Sequence, residues 1–245
     1  GGGTLDLGTN SISVGLVTTA GASPVIAGAG TITSSAGFLL NHTGDTDIPS
    51  VLAGNVGLFK AQTNTVTLSG ANTFTGPVEV QAGAIAVATM GNVGDLSGPL
   101  GAQADAFNAM IRLGSATTTG AITYTGAGET SNRLIGLNGS TGGGTVNANG
   151  TGALILSAGA HAINGGAKSL TLSGTASPSI NNQMGLVEDY AGGPVTLAKA
   201  GTATWELTAV NTYTGATAVD EGTLRPLVDQ NMTGALNFGT ANTIT

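Results

Sequence analysis

The chain has 245 residues, 42 of them glycine; six basic and 13 acidic residues make 8% of it charged and leave a formal net charge of −7. Cysteine is absent, which excludes a disulfide-stapled module and a cysteine metal site. The bases Lys60, Arg112, Arg133, Lys168, Lys199 and Arg225 are scattered, so the basic patch that a phosphate backbone calls for is missing and nucleic acid is not an expected partner.

Hydrophobic residues are 40% of the chain and mean hydropathy is +0.26. That, with patterned apolar positions, speaks for an ordered chain rather than a glycine-rich linker. No run reaches the about 18 apolar residues of a membrane helix, and no basic-then-apolar leader opens the sequence. It begins Gly1-Gly2-Gly3 and stops mid-pattern at Asn242-Thr243-Ile244-Thr245. It reads as a piece of something longer or as a processed product.

In chain order, Leu5-Asp6-Leu7, Thr65-Val66-Thr67-Leu68, Val78-Glu79-Val80, Ile85-Ala86-Val87, Leu170-Thr171-Leu172 and Val195-Thr196-Leu197 alternate with period two. This is the signature of a short strand with one buried face. Gly, Asn and Ser bound these runs and supply the turns. Two weak helical candidates interrupt them, Gln103 to Leu113 and Asn182 to Tyr190. Everything else reads as strand and turn.

An internal repeat organises these pieces. Shifted by 139 positions, Lys60–Ile85 aligns without a gap on Lys199–Leu224, with 11 of 26 positions identical, among them Lys60/Lys199, Leu68/Leu207, Asn72/Asn211, Gly76/Gly215, Val80/Val219 and Gly83/Gly222. Leu5–Thr9 is echoed by Leu236–Thr240, and Asn10–Ser13 by Asn242–Thr245. Within one unit, apolar beats fall at Val66 and Leu68, Phe74, Val78 and Val80, and Ile85 and Val87. About three short strands in about 20 residues is the size of one β-helix coil. The spacing predicts an all-β fold, a single-stranded parallel β-helix (β-solenoid) with about 20-residue coils. About 11 coils would make a rod on the order of 50 Å long. Residues 1–245 would form one elongated solenoid cut from a longer repetitive chain. Asn72 and Asn211 are expected to form or extend a turn ladder, and the lone Trp205 to stack inside. The alternative is a set of antiparallel β-sandwich domains.

Asn72-Thr73-Phe74-Thr75-Gly76 with Val80-Gln81-Ala82-Gly83-Ala84-Ile85, and Asn211-Thr212-Tyr213-Thr214-Gly215 with Val219-Asp220-Glu221-Gly222-Thr223-Leu224, resemble the passenger-associated transport repeat. The resemblance covers residues 56–89 and 195–227. Pro77 follows the glycine of the first copy. In the second, Thr217 and Pro226 stand where Val78 and Val87 do, so Pro226 is expected at a bulge or an edge. The resemblance implies export, a parallel β-helix and an extracellular or bacterial cell-surface location. It names no substrate.

No catalytic, cofactor-binding or metal residue is assigned, and no cofactor is expected. His42 and His161 have no motif partner, and no nucleophile elbow is present. Asp45 and Asp47 in His42-Thr43-Gly44-Asp45-Thr46-Asp47 are the one ion-site candidate, yet the six to eight oxygens a hard cation wants are not supplied. Glu188-Asp189 and Asp220-Glu221 are paired acids read as solvated turns. Gly142-Gly143-Gly144 lacks the lysine of a phosphate loop. Asn-x-Ser/Thr at Asn41, Asn138, Asn149 and Asn231 is the chance yield of this composition. The expected role is an extracellular structural or adhesive solenoid of an autotransporter-like surface protein, not an enzyme. The alternatives are a subunit of a filament built by end-to-end stacking, motivated by missing polar capping coils, and a polysaccharide-acting β-helix enzyme. Expected partners are surface glycans or other host or cell-surface components, and further copies of the chain, end to end or side by side.

Overall fold

The computed structural model describes residues 2–190, 193–230 and 233–239. Among them the chain climbs through three faces in a fixed order. Sheet I takes Ser11–Thr19, Thr31–Leu40, Leu58–Lys60, Val78–Val80, Ile111–Leu113, Ile135–Leu137, Ala160–Ala162 and Val187–Glu188 as successive rungs. Sheet II takes Thr46–Ile48, Thr65–Leu68, Gly83–Val87, Thr119–Tyr124, Gly143–Ala148, Lys168–Ser173, Val195–Lys199, Thr217–Val219 and Leu236–Phe238. Sheet III takes Ala127–Ser131, Gly152–Leu156, Asn181–Met184, Thr204–Leu207 and Thr223–Pro226. All of these neighbours pair in parallel, as in Ile122 with Ile85 and Val146 with Ile122. The antiparallel contacts found are the isolated bridges Ser115–Thr118 and Tyr190–Gly193. The fold is a parallel β-solenoid, and the sandwich alternative falls.

The coil length is less regular than the sequence suggested. Along sheet II the register runs Val66, Ile85, Ile122, Val146, Leu172, Lys199, Val219, Phe238, so successive coils contain 19, 37, 24, 26, 27, 20 and 19 residues. The coils of 24, 26 and 27 residues carry a paired strand on the third face, and so do the two short C-terminal coils, through Thr204–Leu207 and Thr223–Pro226. In the 19-residue coil from Val66 to Ile85 that face is an extended turn: the Thr73 and Thr75 N–H groups donate to the Leu52 and Gly54 carbonyls at 2.9 and 3.0 Å. The 37-residue coil holds an insertion between Val87 and Ile111.

These lengths rotate the repeat. Lys60 ends a sheet I strand and Lys199 a sheet II strand; Val66 lies in sheet II and Trp205 in sheet III; Val80 lies in sheet I and Val219 in sheet II. The two copies are thus related by five turns plus one face. Asn72 and Asn211 therefore do not share a ladder. Asn72 Oδ1 accepts the Leu52 N–H at 2.8 Å and its amide donates to the Pro99 carbonyl at 2.7 Å, tying the coil before to the coil after. Asn211 accepts the Val187 N–H at 2.6 Å one face away. Asn182 repeats the Asn72 arrangement with Leu154 and Thr204 at 3.0 Å each.

The interior is a continuous apolar column. All the apolar beats from Val66 to Val87 are buried, as are Leu170, Leu172, Val195 and Leu197. Trp205 is fully enclosed and its indole N–H donates to the Ser173 carbonyl at 2.9 Å. Pro226 is the last residue of its strand, where a missing donor costs nothing in the ladder; the Leu227 N–H resumes bonding, to Leu207.

Four local expectations are corrected. The candidate helix from Gln103 shrinks to Ala106–Ala109, one turn capped by the Asp105 side chain, because Ile111–Leu113 joins sheet I. Asn182 to Tyr190 is not helical: Asn181–Met184 and Val187–Glu188 are strands, with Met184 and Val187 turned inward. Of Leu5-Asp6-Leu7 only Leu7 is buried; the strand Thr4–Asp6 is exposed throughout and has one neighbour, Val25–Ala27. Leu236–Phe238 is exposed as well. The echo at Asn242–Thr245 and the Asn231 sequon lie outside the described residues.

Candidate functional site

Three of the six bases are buried at coil corners. Lys60, Lys168 and Lys199 each end or begin a sheet II or sheet I strand with the ammonium turned into the adjoining turn. Lys199 Nζ donates to the carbonyls of Ala200, Gly201 and Glu221 at 2.7, 2.6 and 2.9 Å. Lys60 Nζ donates to the Gln62 carbonyl, to Asn64 Oδ1 at 2.7 Å and to the Ala82 carbonyl at 3.4 Å. Lys168 Nζ reaches Gly165, Gly166 and Ser140. Turn carbonyls that no strand can pair are satisfied by one side chain. Burial pushes the Lys60 and Lys199 ammonium groups down to about 8, against the opposing pull of Asp45 and Glu221. Gly83 and Gly222 close the same corners at φ +67° and +72°.

The residues singled out for chemistry are dispersed. His42 is fully buried and its Nδ1 lies 2.7 Å from Thr19 Oγ1; burial, then the Lys60 charge, lowers its pKa. His161 faces outward on sheet I, 3.6 Å from Glu188 and stacked on Tyr190 at 5.3 Å. Asp45 and Asp47 do not converge: Asp45 accepts the Thr65 N–H and Asp47 the Ser69 hydroxyl, both at 2.7 Å, each a bond to the next coil. Among the described residues no group of three or more His, Asp or Glu could hold a metal ion. Asp189 is likewise committed, to the Val195 N–H at 2.6 Å and to Thr214. Asp220 and Glu221 form an exposed corner.

The insertion is the largest departure from the rod. The Glu129 carboxylate pins its start, accepting the Met90 N–H, and Asn132 accepts the Val93 N–H at 2.8 Å. Arg133, fully buried, pins its end through Gln103 Oε1 at 2.8 Å and the Ala109 carbonyl at 3.2 Å. Desolvation lowers the Arg133 guanidinium to about 10 and raises the Glu129 carboxyl. Beside the insertion lies an open cleft of about 410 Å³ walled by Leu68, Ser69, Thr89, Ser97, Pro99 and Thr125. The insertion also lifts Leu96 and Phe107 into solvent, 89% and 70% exposed.

Sequence reasoning missed the corner lysines and Arg133. The identity of Lys60 and Lys199 in the repeat was the available signal for the first; nothing in the sequence marked the second.

Residues 58–87 and 197–225 match the passenger-associated-transport-repeat. The chain carries autotransporter-type passenger repeats. Over 135 residues, 54% of this chain, it is 33% identical to the adhesin BmaC autotransporter of Brucella suis biovar 1 (strain 1330), and the match spans 4% of that protein's length. No solved structure matches the chain significantly. The repeats and this relative mark the chain as extracellular or cell-surface, a β-helical autotransporter-like segment. No helix among the described residues is long and apolar enough to cross a membrane.

Proposed function

We propose that the chain is a non-enzymatic segment of an autotransporter-like surface protein, one continuous solenoid that both projects from the surface and adheres. The observation that carries this reading is how the outward polar groups are used. Asp45, Asp47 and Asp189 are each bonded to an adjacent coil, so acids that an enzyme would gather instead lace the rod together. The adhesive half of the reading leans on the relative, whose name describes an adhesin. Its targets would be glycans or other components of a host or neighbouring cell surface.

Beads coated with the chain, incubated with cultured epithelial cells, test adhesion. Attachment well above albumin-coated beads is expected; attachment at the albumin level contradicts it. Electron microscopy of the same preparation tests the rod. Discrete rods on the order of 50 Å for the described coils are expected, whereas compact globules or end-to-end filaments contradict the reading.

A further inference from the structure

The outer face of sheet I carries a row of side chains in register: Glu79, Arg112, Gly136, His161 and Glu188. Two exposed aromatic rings stand on this row. Phe107 lies over Arg112, ring centroid to Cζ 4.6 Å, and the guanidinium also donates to the Phe107 carbonyl at 2.9 Å. Tyr190, 57% exposed, stacks on His161 at an interplanar angle of 20°. Each ring is therefore propped from behind and presents its other face to solvent. Between them Gly136 leaves a low point, covered by the Met110 side chain, which a Cβ there would strike. Arg112 and His161 are two rungs apart, which sets the platforms about 10 Å apart along the rod.

We infer that this strip is a binding site for a neutral, extended oligosaccharide, with Phe107 and Tyr190 stacking on two sugar rings and Glu79 and Glu188 accepting hydrogen bonds from sugar hydroxyls. Flat, pre-positioned rings suit the apolar faces of pyranoses, and their partners at the back remove the entropy cost of ordering them on binding. The charge selects among glycans. The strip's cation Arg112 is buried and is spent on Phe107, while the carboxylates flank the row, in a chain of net charge −7. A sulfated or uronate chain is repelled; a neutral one is not. The inference rests on the adhesive reading and names its ligand class.

Isothermal titration and saturation-transfer NMR with β-1,4-linked hexasaccharides of glucose and of N-acetylglucosamine test it, with a heparin hexasaccharide as the polyanion. At least one neutral hexasaccharide is expected to bind, Phe107→Ala and Tyr190→Ala each weakening it about tenfold and Tyr190→Phe preserving it. Binding by neither, undiminished binding by the double alanine variant, or tighter binding of heparin overturns the site. If the double variant melts early, chemical-shift mapping on the parent decides: shifts at Phe107, Arg112, His161 and Tyr190 support the site, shifts confined elsewhere overturn it. Beads carrying a folded double variant that still attach to cells sink this strip alone. Parent beads that fail to attach sink the adhesive reading itself.

Discussion

Lys60 and Lys199 occupy equivalent positions of the two repeat copies, sit on different faces of the solenoid, and make the same bond. Each ammonium reaches a carbonyl of its own turn, Gln62 or Gly201, and the equivalent carbonyl one coil further on, Ala82 or Glu221. The motif therefore encodes a corner and its attachment to the next corner, independent of which face it falls on. A repeat with this property can recur in coils of unequal length.

Replacing Lys199 with Met keeps the stem and removes the donors. Three turn carbonyls lose their partner, two of them on the half-buried Ala200 and Gly201, and leaving such acceptors unmade costs about 1–3 kcal/mol. Equilibrium denaturation of Lys199→Met is expected to show a loss of that size. A change within about 0.5 kcal/mol, typical of a surface site, would show that the cage contributes nothing.

The same lysines give a pH dependence. Their folded values lie near 8 against an ordinary 10.5. Below pH 8 both states are protonated and the dependence is flat. Between pH 8 and about 10.5 the unfolded chain holds more protons, so stability rises with pH. Melts from pH 7.5 to 10 are expected to show this rise, and Lys199→Met to show a smaller one. An identical slope in both proteins contradicts it.

Gly83 and Gly222 should resist substitution. At φ +67° and +72° an added Cβ meets the Asn64 carbonyl at 2.3 Å and the Gly201 carbonyl at 2.4 Å. The left-handed conformation alone costs about 1–2 kcal/mol, and the clash with fixed backbone adds to it. Gly222→Ala is expected to lower the thermal midpoint measurably, whereas Gly15→Ala, which meets nothing within 4 Å, is not.

Asn72 tests the linkage between coils. Asn72→Ala leaves the Leu52 N–H and the Pro99 carbonyl without their partner, an expected loss of about 1–3 kcal/mol. Hydrogen exchange at the Leu52 amide should accelerate with it. Unchanged exchange there would remove Asn72 from the coil-to-coil contacts.

How much of this was legible in the sequence varies with range. The inward beats from Val66 to Val87 were readable because period two is a local property of a strand. Coil length was not, because residues inserted between strands, as between Val87 and Ile111, lengthen a coil without changing the pattern within its strands. For that reason the ladder from Asn72 to Asn211 failed: a shift of 139 residues says nothing about the number of turns it spans. The burial of the lysines was not legible, because burial of an ammonium normally costs too much. Only the turn of the next coil, distant in sequence, supplies the carbonyls that offset it. The rings of Phe107 and Tyr190 come together on one face through the same stacking, which no spacing in the sequence reveals.

The parallel rung order is tested most directly by distance measurement between spin labels, since the chain has no native cysteine. Thr65, Thr171, Ala198 and Ala218 lie in one outward row of sheet II, the last three on consecutive rungs. Labels at Thr65 paired in turn with Thr171, Ala198 and Ala218 are expected about 19, 24 and 29 Å apart, one strand spacing of about 4.8 Å per step. Distances that fail to grow by one spacing per rung would contradict the solenoid.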